Sequence, residues 1–271
     1  MIPIKRIVFF LAFALLLAAP GAQASAQPEW EYPLAPEIIL DRSQYITLTN
    51  RNVLLESSYV PVDLVNTTAR WATGTSKMQL RRAANDALNA MFAAAEEAGY
   101  KLYLKSAYRA YSTQSYMYKA RLEKLGRDDN MVSYPGASDH QTGLGVDILN
   151  YDWTLKAGMN KDFALTAEAQ WMEAHCQEYG FILRYMADKE EVTMIKFEPW
   201  HFRYVGKEAA AYIMENHLSL EDFTVEWQAY LADFEAKGGD LEELVRLRAR
   251  LNDPIVVDYA DDGEEELSIF Y

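Results

Sequence analysis

Gly99, Gly126 and Gly180 each close a stretch with helical spacing, and after two of them a short apolar strand begins at once. Before Gly99, Leu80, Ala84, Leu88, Met91, Phe92 and Ala95 recur on one helical face, with Ser76 placed to cap the N-terminus. Residues 100–106 alternate, with Leu102 and Leu104 on one side, and read as a strand. Ser112 is placed to cap a second helix, which carries Tyr116, Lys119, Ala120 and Leu122 up to Gly126. A third helix is expected over 166–179. Residues 181–185 and 192–197, joined by a polar turn, then predict a hairpin. Residues 200–205 form a further strand, and a helix through Ala209, Tyr212 and Ile213 follows Gly206. Upstream, residues 45–48 read as a short strand and 59–61 as an extended segment. Helices and strands thus alternate without a βαβ rhythm. The expected fold class is α+β, a mainly antiparallel sheet flanked by helices.

The two ends differ from this middle. Lys5 and Arg6 precede an apolar run from Ile7 to about Ala19, and small-x-small patterns follow at 22–24 and 24–26. This reads as a secretory signal peptide over 1–26, so the mature chain is expected outside the cytoplasm, in the periplasm or cell-wall space. An uncleaved N-terminal anchor is the alternative, although the apolar run is short for a membrane span. Removing residues 1–26 takes away two bases and no acid, so the formal charge moves from −14 to −16. Such acidity disfavours nucleic acid and anionic lipid as partners, and no stable membrane association is expected after cleavage. Cys176 is the only cysteine, so no internal disulfide forms. Beyond Ser219, Phe223, Trp227, Tyr230, Leu231 and Phe234 make a helical stripe, Gly238 and Gly239 interrupt it, and residues 241–251 make another. The expected organisation is a domain over 27–218 and a helical appendage over 219–271, ending in the acidic tail 258–266. No oligomeric state follows from the sequence.

Four histidines are present. His175 and His217 sit at helix ends, where a structural role is expected. His140 and His201 lie in a glycine-containing loop and at a strand start, each near a carboxylate: Asp147 seven residues on, and Glu198 three residues before. Two imidazoles and a carboxylate are a common catalytic zinc set, and a second carboxylate could serve as general base. Gly143 and Gly145 let the loop fold back so that His140 and Asp147 can face one point. Spacing alone leaves two readings: a metal site, or salt-bridged surface residues.

The strings SAYRAYSTQ (106–114), SDHQTGLGVDI (138–148) and FEPWHFRYVG (197–206) resemble the zinc D-alanyl-D-alanine carboxypeptidases of the VanY type. That family shares its fold with D-Ala-D-Ala dipeptidases and the Hedgehog signalling domain. GFILRY (180–185) and residues 48–65 are also similar, so the likeness spans roughly 45–220. The resemblance implies that His140, Asp147 and His201 hold one Zn²⁺ and that Glu198 is the catalytic base. It further implies that Arg109 stabilises the oxyanion and that Gln114 and Ser138 contact substrate, with Tyr185 lining the same cleft. Trp200 is either a wall of the site or core. The residue Asp139 before His140, and a turn at 186–191 without proline or glycine, depart from the pattern. The implied activity is D,D-carboxypeptidase action on peptidoglycan stem peptides. L,D-carboxypeptidase action on tetrapeptide stems, or a zinc-stabilised wall-binding module without turnover, are the alternatives.

Overall fold

The computed structural model describes residues 27–71 and 78–252. The expected signal peptide, the Ser76 cap and the acidic tail lie outside the described residues. In chain order the elements are α1 (Pro36–Leu40), β1 (Leu64–Asn66), β2 (Gln79–Arg81), α2 (Arg82–Glu97), β3 (Leu102–Ser106) and α3 (Tyr111–Leu125). Then come β4 (Gly145–Asn150), α4 (Tyr151–Thr154), α5 (Ala167–His175), β5 (Phe181–Leu183), α6 (Glu190–Thr193) and β6 (His201–Tyr204). The helices α7 (Lys207–Glu215), α8 (Leu220–Ala236) and α9 (Leu241–Asn252) complete the described chain. The sheet order is β3-β4-β6-β5, every pair antiparallel, with β1 and β2 forming a separate two-stranded sheet. The fold is α+β, as the lack of a βαβ rhythm predicts.

The pleat explains how one sheet serves two purposes. Successive side chains on a strand point to opposite faces. Val146 and Ile148 of β4, Phe202 of β6, and Phe181 and Leu183 of β5 enter one core with Leu88, Met91, Phe92 and Ala95 of α2. Cys176 is buried in that core, and burial pushes its thiol up to about 12, so it remains an inert apolar filler. The intervening residues, Asp147, His201, Arg203 and Ile182, face the other way. Ile182 joins a second core of Tyr32, Leu34, Ile39, Val205, Ile213, Leu220, Phe223 and Leu241. Helices α1, α7 and α8 and the N-terminal segment therefore close over the sheet's second face.

Five local expectations are corrected. Residues 192–197 are not a strand: α6 and a loop occupy them, and β5 pairs with β6 instead. Thr193 and Ile195 are both buried there without strand pairing. Residues 45–48 form no strand either; the carbonyls of Tyr45 and Thr47 accept hydrogen bonds from the Arg203 guanidinium (3.1 and 2.8 Å) rather than from a neighbouring strand. Helix α2 starts at Arg82, because Leu80 belongs to β2, and Ser112 lies inside α3, whose cap is Ala110. The third helix ends at His175, and a 3-10 turn carries the chain on to Gly180.

Candidate metal centre

Asp147 and His201 are direct partners in the β4–β6 register, so adjacent antiparallel strands present them side by side on the sheet's polar face. His140 arrives from a 3-10 turn over Asp139–Thr142, which Gly143 ends in a left-handed conformation (φ 68°). Gly145 then brings β4 against that turn: a Cβ there would stand 2.9 Å from the Asp139 carbonyl carbon. The two glycines thus hold the His140 backbone against the strand that carries Asp147.

The donor atoms converge. His140 Nδ1 lies 2.7 Å from the Ala107 carbonyl, which fixes the proton there and turns the Nε2 lone pair towards Asp147 Oδ2, 3.3 Å away. His201 Nδ1 lies 2.9 Å from Asp147 Oδ1. One donor atom from each of the three residues falls within 4.8 Å of the others, and all three residues are buried. Donors at about 2.1 Å from a tetrahedral zinc stand about 3.4 Å apart, so a modest inward adjustment completes the set. Two imidazole nitrogens and a carboxylate oxygen beside a cleft suit a catalytic zinc with open coordination.

The charge behaviour of Asp147 and His140 agrees with a site built to receive a cation. Burial alone would raise the Asp147 carboxyl, but His140 and His201 hold it well below the usual carboxylate range. Burial and the nearby Arg109 push the His140 imidazole down, towards the neutral form that ligates metals. Burial also works against protonating His201, yet the neighbouring carboxylates of Asp139 and Asp147 outweigh it and carry His201 up to about 9. Glu198, with one carboxylate oxygen 3.9 Å from His201 Nδ1, is pushed by burial up to about 8.

A cleft of about 180 Å³ opens onto these groups, lined by Arg109, Gln114, Ser138, His140, Asp147, Glu198, Trp200 and His201. Met117, Met131 and Met159 form its apolar wall. A bulge between Leu104 and Ser106 ends the regular β3–β4 pairing and leads to Arg109, whose guanidinium donates to Ser106 Oγ (2.9 Å) and Gln114 Oε1 (2.8 Å). Gln114 in turn donates to the Ser133 carbonyl at 2.7 Å, so it aims Arg109 as well as lining the cleft. Trp200, both cleft wall and buried side chain, satisfies the two readings at once. Tyr185 does not line this cleft; its ring packs on the His201 ring with centroids 4.9 Å apart. His175 and His217 pair with Glu178 and Asp188 on the surface.

Sequence reasoning noted Asp139 only as a departure from the pattern and gave it no role. Its carboxylate is fully buried, takes one hydrogen bond from Arg184 Nε (2.9 Å) and another from Arg203, and faces His201 Nε2 at 3.7 Å. The signal was present: Asp139, Arg184 and Arg203 are opposite charges set in otherwise apolar or glycine-rich stretches, where buried charges must pair.

A family model described as VanY, D-alanyl-D-alanine carboxypeptidase, matches residues 77–207. The putative carboxypeptidase YodJ of Bacillus subtilis (strain 168) is 37% identical over 191 residues, covering 69% of this chain and 69% of that protein. The chain belongs to the VanY family of D-alanyl-D-alanine carboxypeptidases. Within it, a D-alanyl-D-alanine carboxypeptidase of Enterococcus faecalis (strain ATCC 700802 / V583) is 42% identical over 95 residues, 35% of this chain and 32% of the relative. Among solved structures, the LdcB LD-carboxypeptidase superposes with a TM-score of 0.61 at 38% identity, over 65% of this chain and 84% of LdcB. The VanY D,D-pentapeptidase of a VanB-type resistance cassette, solved in complex with Zn(II), gives 0.55 at 29% identity, over 66% and 98% of the two chains. The VanY-family chain is thus a carboxypeptidase of the D-alanyl-D-alanine type, and its donor set fits zinc, the metal in that VanY structure.

Proposed function

We propose that this VanY-family chain is a zinc-dependent D,D-carboxypeptidase that releases the terminal D-alanine of peptidoglycan stem peptides. The observation that supports the reading most is the meeting of His140, Asp147 and His201 with Glu198 and Arg109 at the floor of one cleft. His140, Asp147 and His201 hold the metal, which when bound supplies Lewis acidity towards the water and the scissile carbonyl. Glu198 accepts the proton of the attacking water and returns it to the departing amine, a task suited to a carboxyl whose affinity for protons burial has raised. Arg109, aimed by Ser106 and Gln114, donates to the oxyanion. Gln114 and Ser138 meet the peptide, while the place of Tyr185 behind His201 supports a packing role for it. The cleft is smaller than the roughly 300–1,000 Å³ of drug-sized pockets, which suits a methyl-bearing terminal residue against the methionine wall.

A second reading is favoured by a specific likeness: LdcB, an LD-carboxypeptidase, superposes at higher identity than VanY. The family matches support D,D action, so we place L,D action on tetrapeptide stems second. Export of the chain by residues 1–26 belongs to the same proposal, since the stem peptides lie outside the membrane. Among the described residues no helix is long and apolar enough to cross a membrane.

Two measurements test the reading. Glu198→Ala is expected to retain zinc and to lose about 10²–10⁴-fold in D-alanine release from a D-Ala-D-Ala-terminated pentapeptide. An active variant would remove the role given to Glu198. Mass spectrometry of products from tetra- and pentapeptide stems separates the two specificities. Cleavage of the tetrapeptide alone would replace the D,D assignment by the L,D one, and zinc-loaded protein that binds both stems without cutting either would leave a binding module.

A further inference from the structure

The metal ligand His201 is the inner end of a buried chain of charges that runs out of the family-matched stretch. With Nδ1 facing Asp147, His201 presents Nε2 to Asp139 Oδ2 (3.7 Å), and among the described residues that buried nitrogen has no hydrogen-bond partner. Asp139 Oδ2 accepts from Arg184 Nε. The other two nitrogens of Arg184 are taken bidentately by Glu221, at 2.7 and 2.8 Å. Glu221 lies in the first turn of α8, beyond the matched residues 77–207, and Asn50 Nδ2 donates to its Oε1 at 3.2 Å. Asp139, Arg184, Arg203 and Glu221 together balance two negative against two positive charges, with the arginine side chains fully buried.

We propose that Glu221 is a positioning residue for the zinc centre, acting on His201 through Arg184 and Asp139. The inference rests on the metallopeptidase reading of the site. A guanidinium has one fork of two terminal nitrogens and one edge that includes Nε. Glu221 occupies the fork, so Arg184 meets Asp139 by Nε alone and leaves Oδ2 open on the side that faces His201. Without the Glu221 carboxylate, the freed fork turns its charge on Asp139, the nearest remaining anion. That rotation withdraws Oδ2 from His201 Nε2 and loosens the imidazole. Helix α8 is thereby part of the metal site although it touches no ligand.

Glu221→Gln removes the charge and one of the two acceptors while keeping the shape. With folding checked by circular dichroism, zinc affinity is measured by chelator competition, and ligand geometry by the visible absorption of the cobalt(II)-substituted protein. Expected are about tenfold weaker zinc binding, the lower end of what an outer-shell partner contributes, and an altered cobalt spectrum. kcat is expected to fall with KM near the wild-type value. Glu221→Asp, which keeps the charge, is expected to recover part of the affinity and serves as the test if the glutamine variant does not fold. The control is Lys189→Ala, which cuts the 3.0 Å Lys189–Asp222 bridge that ties the same turn of α8 to the rest of the fold. Wild-type zinc affinity and cobalt spectrum are expected for it. A folded Glu221→Gln protein with unchanged zinc affinity and cobalt spectrum overturns the proposal, and so does a folded Glu221→Asp protein that loses tenfold or more in affinity although it keeps the charge. So does a Lys189→Ala protein that loses as much affinity, since helix docking alone would then explain the effect. Wild-type protein that takes up no zinc would instead sink the metallopeptidase reading itself.

Discussion

Asp147 and its neighbours show at the residue scale how the protonation of a buried cluster ties stability to pH. The Asp147 carboxylate is buried between two imidazoles and kept ionised by them, while His201 and Glu198 hold protons more tightly than they would in an unfolded chain. For both of these groups the folded value lies above the unfolded one, near 6.5 for the imidazole and 4.5 for the carboxyl. Their contributions to stability are therefore complete below those values and are lost as pH rises through about 8 for Glu198 and about 9 for His201. Zinc-free protein is expected to melt at falling temperatures as pH rises from 6.5 to 9. Zinc, which takes the proton's place on His201, is expected to flatten that slope. Melts of chelator-treated and zinc-loaded samples across this range check it, and parallel curves would refute the account. Asp147→Ala removes a donor outright and is expected to weaken zinc by more than the about 10–100-fold that an outer-shell group contributes. Activity lost with full zinc retention would remove Asp147 from the ligand set.

At the scale of elements, the decisive contact is that of β4 with the turn before it. Gly145 leaves no room for a side chain: a Cβ would meet Asp139 at 2.9 Å and the His140 amide nitrogen at 3.0 Å, and these are mostly backbone atoms that cannot swing aside. Gly145→Ala is expected to cost about 1–3 kcal/mol by forcing the turn outward, and to weaken zinc binding as His140 moves with it. Denaturant unfolding and chelator competition on the same sample measure both effects. The strands also show where local pattern misleads. Residues 181–185 are followed by an apolar run at 192–197 across a polar turn, yet β5 pairs with β6, because Phe202 and Leu183 share the core face there and the helical turn α6 takes up the start of that run.

For the whole molecule, the change of sequence pattern near 219 is bridged by continuous packing. Leu220 and Phe223 of α8 are fully buried in the core that also contains Tyr32, Ile182 and Ile213. Ser219 caps α8 through a reciprocal capping box with Asp222, which sets the helix start where Glu221 can reach Arg184. Phe223→Ala is expected to destabilise the protein by about 3–5 kcal/mol, and a chain ending at 218 to lose cooperative unfolding. Thermal melts followed by circular dichroism decide both. Unimpaired melting of the shortened chain would show that the helices only decorate the fold.

The sequence by itself determined the fold class and the strands that carry Asp147 and His201, and three blocks of resemblance singled out His140, Asp147, His201, Glu198 and Arg109, which the structure brings to one cleft. These were legible because glycine stops, period-two alternation and contiguous motifs are local properties of a chain. The direct pairing of Asp147 with His201, the β5–β6 partnership and the Asp139–Arg184–Glu221 chain were decided only by the tertiary structure. Each joins residues whose separation along the chain bears no relation to their distance in space. A buried charge states only that it needs a partner, and folding chooses which one.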